Sequence, residues 1–165
     1  MKKTILFAIY ISISILCNAQ LTGDSVPAYK RLPAIPPFKL IVTPDSTAFS
    51  RDDLKKKKAT IIMVFSPDCD HCIHSTEDLI AHYDLFKKVQ IIMVSALPYG
   101  YVKKFCNDFK LSNYPIIKVG EDKNYFLGSF YQVKSFPSIY LYSKKGKFKQ
   151  YFDSNTKWET IAKFL

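Results

Sequence analysis

The stretch Phe65-Ser66-Pro67-Asp68-Cys69-Asp70-His71-Cys72 follows directly on the apolar run Ile61-Ile62-Met63-Val64. A continuous, β-branched run of this kind predicts a strand buried on both faces of a parallel sheet, and a helix is expected after it. Two cysteines separated by two residues at a strand-to-helix junction lie close enough to form a disulfide. The stretch therefore predicts a dithiol that exchanges electrons with other proteins.

A second buried strand is predicted over Val89 to Val94, where the chain is again apolar and rich in β-branched residues. Between the two strands, side chains at three- and four-residue steps predict one inward helix face, formed by Cys72, Thr76, Leu79, Ile80 and Tyr83. Strand, helix and strand in this order make a βαβ unit, so the expected fold class is α/β.

The rest of the chain predicts short elements around this unit. They are a strand at Phe38 to Val42, a capped turn at Ser50 to Leu54, a helix at Tyr99 to Phe109, an extended segment at Pro115 to Val119 and a short helix at Lys123 to Tyr131. Two strands, Ser138 to Tyr142 and Phe148 to Phe152, flank Lys144-Lys145-Gly146 and predict an antiparallel hairpin. The pattern Thr156-Lys157-Trp158-Glu159 predicts a capping box and a terminal helix that buries Trp158, Ile161, Ala162 and Leu165.

The first residues have the pattern of a secretory signal peptide. Met1-Lys2-Lys3 precedes the apolar stretch Ile5 to Leu16, and cleavage is expected after Ala19. Lipid attachment at Cys17 is the weaker alternative because Leu16 precedes it, and the twelve-residue apolar stretch is short for an uncleaved anchor. We expect export to the periplasm or cell envelope of a bacterium. The expected domains are the signal peptide (1–19), a proline-rich tether (20–37) and one compact domain (38–165).

Cysteine count and charge add two further expectations. Beyond the C-x-x-C pair the domain has Cys106, which we expect to be a small buried hydrophobe on its predicted helix. The formal net charge is +10, and the lysines are scattered or lie in surface-type runs such as Lys55 to Lys58. Because no arginine-rich helix accompanies them, we expect solvated surfaces and no nucleic-acid partner.

A thiol attacks a disulfide only as its thiolate, so the site must stabilise that form. If Asp68 caps the helix, Cys69 lies in its first turn, where unpaired N–H groups and the positive end of the helix dipole favour a thiolate. His71 can donate a hydrogen bond or partial positive charge to it, whereas Asp68 and Asp70 oppose it by repulsion. Cys69 is then the exposed attacking thiol and Cys72 the resolving one. The direction of electron flow stays open.

Phe136-Pro137 comes directly before a predicted strand. Taken alone, Pro137 is interpreted as the first residue of that strand. Beside a C-x-x-C pair on a βαβ unit, we interpret it as part of the site. Phe136 with Pro137 would then hold an extended segment of a partner protein by strand pairing.

These two segments together resemble the thioredoxin fold, and more narrowly its exported TlpA/ResA-type branch. The resemblance covers roughly Phe38 to Leu165. It implies a mixed central sheet flanked by helices, an N-terminal β-hairpin, an extra helix before the proline strand, a redox-active Cys69–Cys72 disulfide with Cys69 as nucleophile, and Pro137 in cis.

Expected partners are client proteins with disulfides or thiols and an upstream thiol–disulfide electron donor or acceptor. No organic cofactor is implied. We expect a monomer, with membrane contact only if the signal is uncleaved or lipidated.

Three positions depart from the resemblance. Asp68 replaces the aromatic residue that usually precedes the first cysteine, Met63 replaces a buried acid, and Glu77 replaces the proline that kinks the first helix. Proton transfer to or from Cys72 would then need another group, such as water or His74.

Two alternatives of other classes remain. Cys69, Cys72, His71 and His74 cluster within six positions and offer soft ligands to copper(I) or zinc, although the pattern is only half of a zinc site. The second alternative is a thioredoxin-fold module whose cysteine pair is structural or idle. His82, ten positions past Cys72, is interpreted as a partly exposed helical histidine.

Overall fold

The computed structural model describes residues 26–165, so the predicted signal peptide and its cleavage point lie outside the described residues. In this part of the chain seven strands form one mixed sheet in the order β2-β1-β5-β4-β3-β6-β7. The strands are β1 (Lys39–Val42), β2 (Thr47–Ser50), β3 (Ala59–Val64), β4 (Val89–Ser95), β5 (Ile117–Glu121), β6 (Ser138–Tyr142) and β7 (Phe148–Phe152). The helices are α1 (Ala28–Arg31), α2 (Asp70–Ala81), α3 (Tyr99–Asp108), α4 (Phe126–Tyr131) and α5 (Trp158–Ala162).

Strand β3 occupies an inner position of the sheet. It pairs in parallel with β4 and antiparallel with β6, and every residue of β3 and β4 is buried. This explains the unbroken apolar runs in the sequence, because a strand covered on both faces has no polar side. Both predicted central strands are confirmed, and so is the α/β class with a mixed sheet flanked by helices.

The two faces of the sheet carry two different cores. Ile61 and Met63 of β3 point into a mainly aliphatic core that also contains buried residues of α2, α3 and α5. Ile62 and Val64 point the other way, into a core with α1 and α4. The alternation follows from the two-residue period of a strand.

The second core is rich in tyrosine. The rings of Tyr131 and Tyr140 stack with centroids 3.6 Å apart, and the ring of Tyr29 meets both of them. The hydroxyls of Tyr131 and Tyr142 share a hydrogen bond of 2.8 Å, so neither buried oxygen is left without a partner. Burial raises the pKa of Tyr142 to about 12, since the phenolate would lose its hydration there.

The expected tether (20–37) is wrong over its described part. Helix α1 buries Tyr29 in the tyrosine-rich core, and the segment after α1 bonds to the β6–β7 turn. There, Phe148 N–H donates to the carbonyl of Pro33, and Ile35 N–H donates to the carbonyl of Gly146. The domain therefore includes residues before Phe38, because the ring of Tyr29 fills part of the core.

The terminal helix also differs from the prediction. No side chain caps α5; Trp158 N–H instead donates to the carboxylate of Asp78 on α2, at 2.8 Å. Trp158 and Ile161 are fully buried as expected, whereas Ala162 is half-buried and Leu165 is 44% exposed. The capping box is wrong because α5 has Lys157 as its N-cap, and the hydroxyl of Thr156 donates to the carboxylate of Asp153 at 3.0 Å instead.

Other short elements agree with the sequence. Ser50 and Asp53 form the predicted capped turn, β1 and β2 form the N-terminal hairpin, and α4 precedes β6 as the extra helix. The β6–β7 turn uses Gly146 at φ 73°, a backbone conformation that favours glycine.

Cys106 is buried on α3 as expected, and the hydroxyl of Thr43 donates to its sulfur at 3.1 Å. No helix within residues 26–165 is long and apolar enough to cross a membrane.

The raised pKa of Tyr142 predicts a loss of stability in alkali. Below pH about 10 both the folded and the unfolded state keep this proton, and the contribution is complete. Between about 10 and 12 the unfolded state releases it first, so the free energy of unfolding falls by about 1.4 kcal/mol per pH unit for this group. Urea unfolding of Tyr142→Phe should show a shallower decline than the parent protein over this range.

Tyr101→Phe is the matched control, because Tyr101 is 61% exposed. It should keep the alkaline slope of the parent. Tyr142→Phe also loses the hydrogen bond to Tyr131, and this lowers the free energy of unfolding at neutral pH. The prediction concerns only the slope with pH, so equal slopes for Tyr142→Phe and the parent would contradict it.

Candidate active site

The pairing of β3 with β6 brings the cysteines and the proline together. Val64 lies opposite Ser138, so the chain leaving β3 and the chain entering β6 meet at one end of the sheet. At this end the thiol of Cys69 lies 3.7 Å from the carbonyl oxygen of Phe136, within reach of a weak thiol hydrogen bond. The Phe136–Pro137 peptide bond is cis. We call this end of the sheet the cysteine end.

Helix α2 begins one residue later than the sequence predicted. Its N-cap is Cys69 itself, without a side-chain cap, so the prediction of Asp68 as the cap is wrong. The carboxylate of Asp68 instead accepts a hydrogen bond from the hydroxyl of Ser66, its neighbour two positions back. Cys69 still lies at the N-terminus of α2, and its carbonyl accepts the N–H groups of Cys72 and Ile73 at 2.9 and 3.0 Å. The positive end of the helix dipole thus remains beside the Cys69 sulfur.

The two cysteines of the pair differ sharply in environment. Both are thiols in this structure; Cys69 is partly exposed, whereas Cys72 is completely buried. Burial raises the pKa of the Cys72 thiol far above its usual range. A backbone hydrogen bond at Ser66 acts in the opposite direction, and the neighbouring Cys69 raises the pKa further. One thiol is therefore accessible to solvent, whereas the other is buried and held protonated.

The side chains predicted to tune the thiolate lie on the surface. Asp68, Asp70 and His71 are all exposed, and Asp70 lies in the first turn of α2. Within residues 26–165 the Cys69 thiol bonds to Phe136, and His71 makes no hydrogen bond with it. His71 instead lines a cleft of about 270 Å³ beside α2, together with residues of the 154–157 loop. Tuning by these three side chains stays a prediction.

The contacts that hold α2 in place could not be predicted from the sequence. Asp78 accepts the N–H of Trp158 and pairs with His82 at 3.1 Å, and the indole of Trp158 donates to the hydroxyl of Ser75 at 3.0 Å. These contacts join positions about 80 residues apart, which no local pattern reveals. His82 caps the end of α2 and is partly exposed, in agreement with its interpretation.

The residues of the metal alternative do not converge. In the described part of the chain, no three side chains of His, Cys, Asp or Glu form a group that could hold a metal ion. His74, which was also considered for proton transfer, is exposed and pairs with Glu77 at 3.2 Å. Met63 is fully buried at the position of the missing acid.

The C-x-x-C pair at the start of α2 thus lies beside the Phe136–Pro137 loop, at the same end of the mixed sheet. No family model matches the sequence, and no curated protein matches it. Solved structures show that the fold is the thioredoxin fold. StoA from Bacillus subtilis superposes with a TM-score of 0.59 at 18% identity, covering 80% of this chain and 98% of that chain.

Two further structures show the same likeness. One is a secreted Mycobacterium tuberculosis disulfide oxidoreductase homologous to E. coli DsbE, with a TM-score of 0.60, 16% identity and coverage of 73% and 85% of the two chains. The other is Arabidopsis thaliana ScoI with copper bound, with a TM-score of 0.60, 18% identity and coverage of 78% and 92%. At these identities the likeness establishes the fold.

The different environments of the thiols predict selective alkylation. Iodoacetamide at pH 8 should modify Cys69 of the reduced, folded protein at least about a hundredfold faster than Cys72 or Cys106, since burial blocks both of the latter and keeps Cys72 protonated. Peptide mass spectrometry after timed quenching gives the three rates. In urea the three rates should become similar, which serves as the control. Equal rates for Cys69 and Cys72 in the folded protein would contradict the assigned asymmetry.

Proposed function

We propose that this protein is an exported thiol–disulfide oxidoreductase that exchanges electrons with client proteins through Cys69 and Cys72. In the reducing direction, the Cys69 thiolate attacks a client disulfide, forming a mixed disulfide and releasing one client thiolate, which takes up a proton. Cys72 then loses its proton and attacks the Cys69 sulfur. The client leaves as a dithiol, and the protein is left with a Cys69–Cys72 disulfide.

The observation that carries the proposal is the unequal exposure of the two sulfurs. Cys69 is partly exposed at the N-terminus of α2, beside the positive end of the helix dipole, whereas Cys72 is buried with a raised pKa. A protonated second thiol does not compete for the client. It becomes a nucleophile only when the mixed disulfide lies directly above it. A purely structural disulfide would not require this asymmetry.

The backbone beside Cys69 supports a docking mode for the client. The carbonyl of Phe136 lies within 3.7 Å of the Cys69 sulfur, and Phe136 is only half-buried. An extended client segment that offers a backbone N–H at this position would bring its own sulfur to Cys69. The cleft beside α2 that is lined by His71 and the 154–157 loop offers polar contacts to the same client.

Export and redox partners belong to the same proposal. The apolar stretch Ile5 to Leu16 after two lysines supports export, and the solved Mycobacterium tuberculosis oxidoreductase of the same fold is described as secreted. Once the dithiol is oxidised, a second thiol–disulfide protein must return two electrons to it, or accept two when the reaction runs in reverse. The cell envelope is where such a partner would be met.

The mixed disulfide can be trapped. In Cys72→Ser the second attack cannot occur, so covalent complexes with client proteins should accumulate and disappear on treatment with dithiothreitol. Cys69→Ser should form no complex and should lose at least about 99% of insulin-disulfide reduction, since the exposed nucleophile is gone. Non-reducing gels and insulin turbidity measure the two effects.

Cys106→Ser is the matched control for these variants. Cys106 is buried on α3, where its sulfur accepts from the hydroxyl of Thr43, and its variant should keep the parent activity. The assignment is wrong if Cys69→Ser retains insulin reduction or if Cys72→Ser forms no reducible complex. Equilibration in glutathione buffers then gives the reduction potential, which decides whether the protein reduces or oxidises its clients.

A further inference from the structure

Nine lysines and one arginine meet at the end of the sheet opposite Cys69. This set, the basic pole, comprises Arg51, Lys55 to Lys58, Lys87, Lys88, Lys144, Lys145 and Lys147. Most of its members lie just before β3, just before β4 or in the β6–β7 turn. Ala59 pairs with Val89 in parallel register, and Thr60 pairs with Tyr142 in antiparallel register. The three segments therefore emerge at the same end, although more than 80 positions separate the first segment from the last in sequence.

Few acids neutralise this pole. Arg51 pairs with Asp52, Lys87 pairs with Asp84, and the carboxylate of Asp53 is bound to Ser50. Among the described residues the other eight lysines of the pole form no ion pair. A cleft of about 290 Å³ at its centre is lined by seven cationic side chains and no acid. The pole is thus a region of uncompensated positive charge.

The lysine run that precedes β3 is held in a fixed conformation. Gln90 is buried on β4, and its side chain accepts from the N–H of Lys55 at 2.8 Å and donates to the carbonyl of Lys55 at 3.1 Å. The same amide donates to the hydroxyl of Thr60 at 2.9 Å. A loop ordered in this way loses less entropy when it binds a partner.

Exposed apolar side chains accompany the lysines. Leu85, on the connection that leads to Lys87, is 50% exposed. Phe164 and Leu165 are 42% and 44% exposed, and they line a cleft with Lys144 and Lys145. The pole therefore combines positive charge with large apolar groups that the fold leaves in solvent.

From this combination we infer that the basic pole binds the surface of an anionic phospholipid bilayer. Lysines are attracted by the negative surface, and the exposed leucines and phenylalanine enter the boundary between headgroups and acyl chains. A nucleic acid is the less favoured partner because the pole has one arginine and offers no platform of aromatic side chains for base stacking. Strand β3, of six residues, spans about 20 Å, so Cys69 faces away from the bound membrane.

Lysine footprinting on vesicles tests this inference with the full chain. The protein is acetylated with acetic anhydride in buffer, with phosphatidylcholine vesicles, and with vesicles containing 30% phosphatidylglycerol. Lys55, Lys56, Lys144 and Lys145 should be protected at least about fivefold by the anionic vesicles alone, whereas Lys103 and Lys123 should label equally in all three. The apolar residues 5–16 would bind to both kinds of vesicle, so they do not contribute to the difference between the two.

A charge-matched pair of variants completes the test. Replacing Lys55, Lys56, Lys144 and Lys145 by glutamine should weaken binding to anionic vesicles about a hundredfold, since each lysine contributes roughly fivefold or less. The control replaces Lys103, Lys123, Lys134 and Lys157, all exposed and outside the pole, and should bind like the parent. Leu85→Ser should weaken vesicle binding several-fold and leave insulin reduction unchanged.

Three results would overturn the inference. They are uniform protection of all lysines, equal losses in the two quadruple variants, and protection of the pole by a DNA duplex at equal phosphate concentration without protection by vesicles. The last result would assign the pole to nucleic acid. Cys69→Ser should bind vesicles normally, so failure of the proposed redox function would not affect this outcome.

Discussion

The antiparallel pairing of β3 with β6 is the constraint on which the site depends. Because Val64 lies opposite Ser138, the residues that follow β3 and those that precede β6 converge at one end of the sheet. Cys69 and Phe136, 67 positions apart in sequence, become neighbours for this reason. The pairing itself is stabilised by burial on both faces, since β3 and β6 contribute to an aliphatic core on one side and a tyrosine-rich core on the other. A change that shifted this register by one residue would separate the thiol from the carbonyl and reverse both faces.

The chemistry then follows from where α2 places its first turn. Cys69 caps the helix at the surface, and one turn later Cys72 lies in the core, so a short spacing produces two very different thiols. The far half of α2 is attached to α5 through Asp78, Trp158 and Ser75. These contacts fix the helix axis against the sheet and therefore fix the depth at which Cys72 is buried. A site of this kind needs rigid support, because the resolving attack works only over a short distance.

Charge is distributed along the same axis as the strands. Exposed Asp68 and Asp70 lie at the cysteine end, and the basic pole lies at the other. Under the two proposals above, the basic end binds an anionic surface and the cysteine end stays accessible to clients. From the sequence we interpreted these lysines as scattered and solvated. Parallel and antiparallel strand pairing brings their segments to the same end of the sheet, which a local pattern does not reveal.

Local patterns in the sequence predicted the central strands, the helix after the cysteines, the β6–β7 hairpin and the buried Cys106, because each depends on residue spacing within one element. The same patterns failed at the N-cap of α2, at the start of α5 and over residues 26–37. There the decisive partners are Ser66, Asp78 and the tyrosine-rich core, and the last two are contributed by other segments of the chain. Residue spacing was enough to predict a dithiol at a strand-to-helix junction, with Cys69 as the exposed thiol and Phe136–Pro137 beside it. The contact between Cys69 and Phe136, the bonds that hold α2 and the end at which positive charge collects could not be predicted in this way, since they depend on strand pairing and packing across the whole sheet.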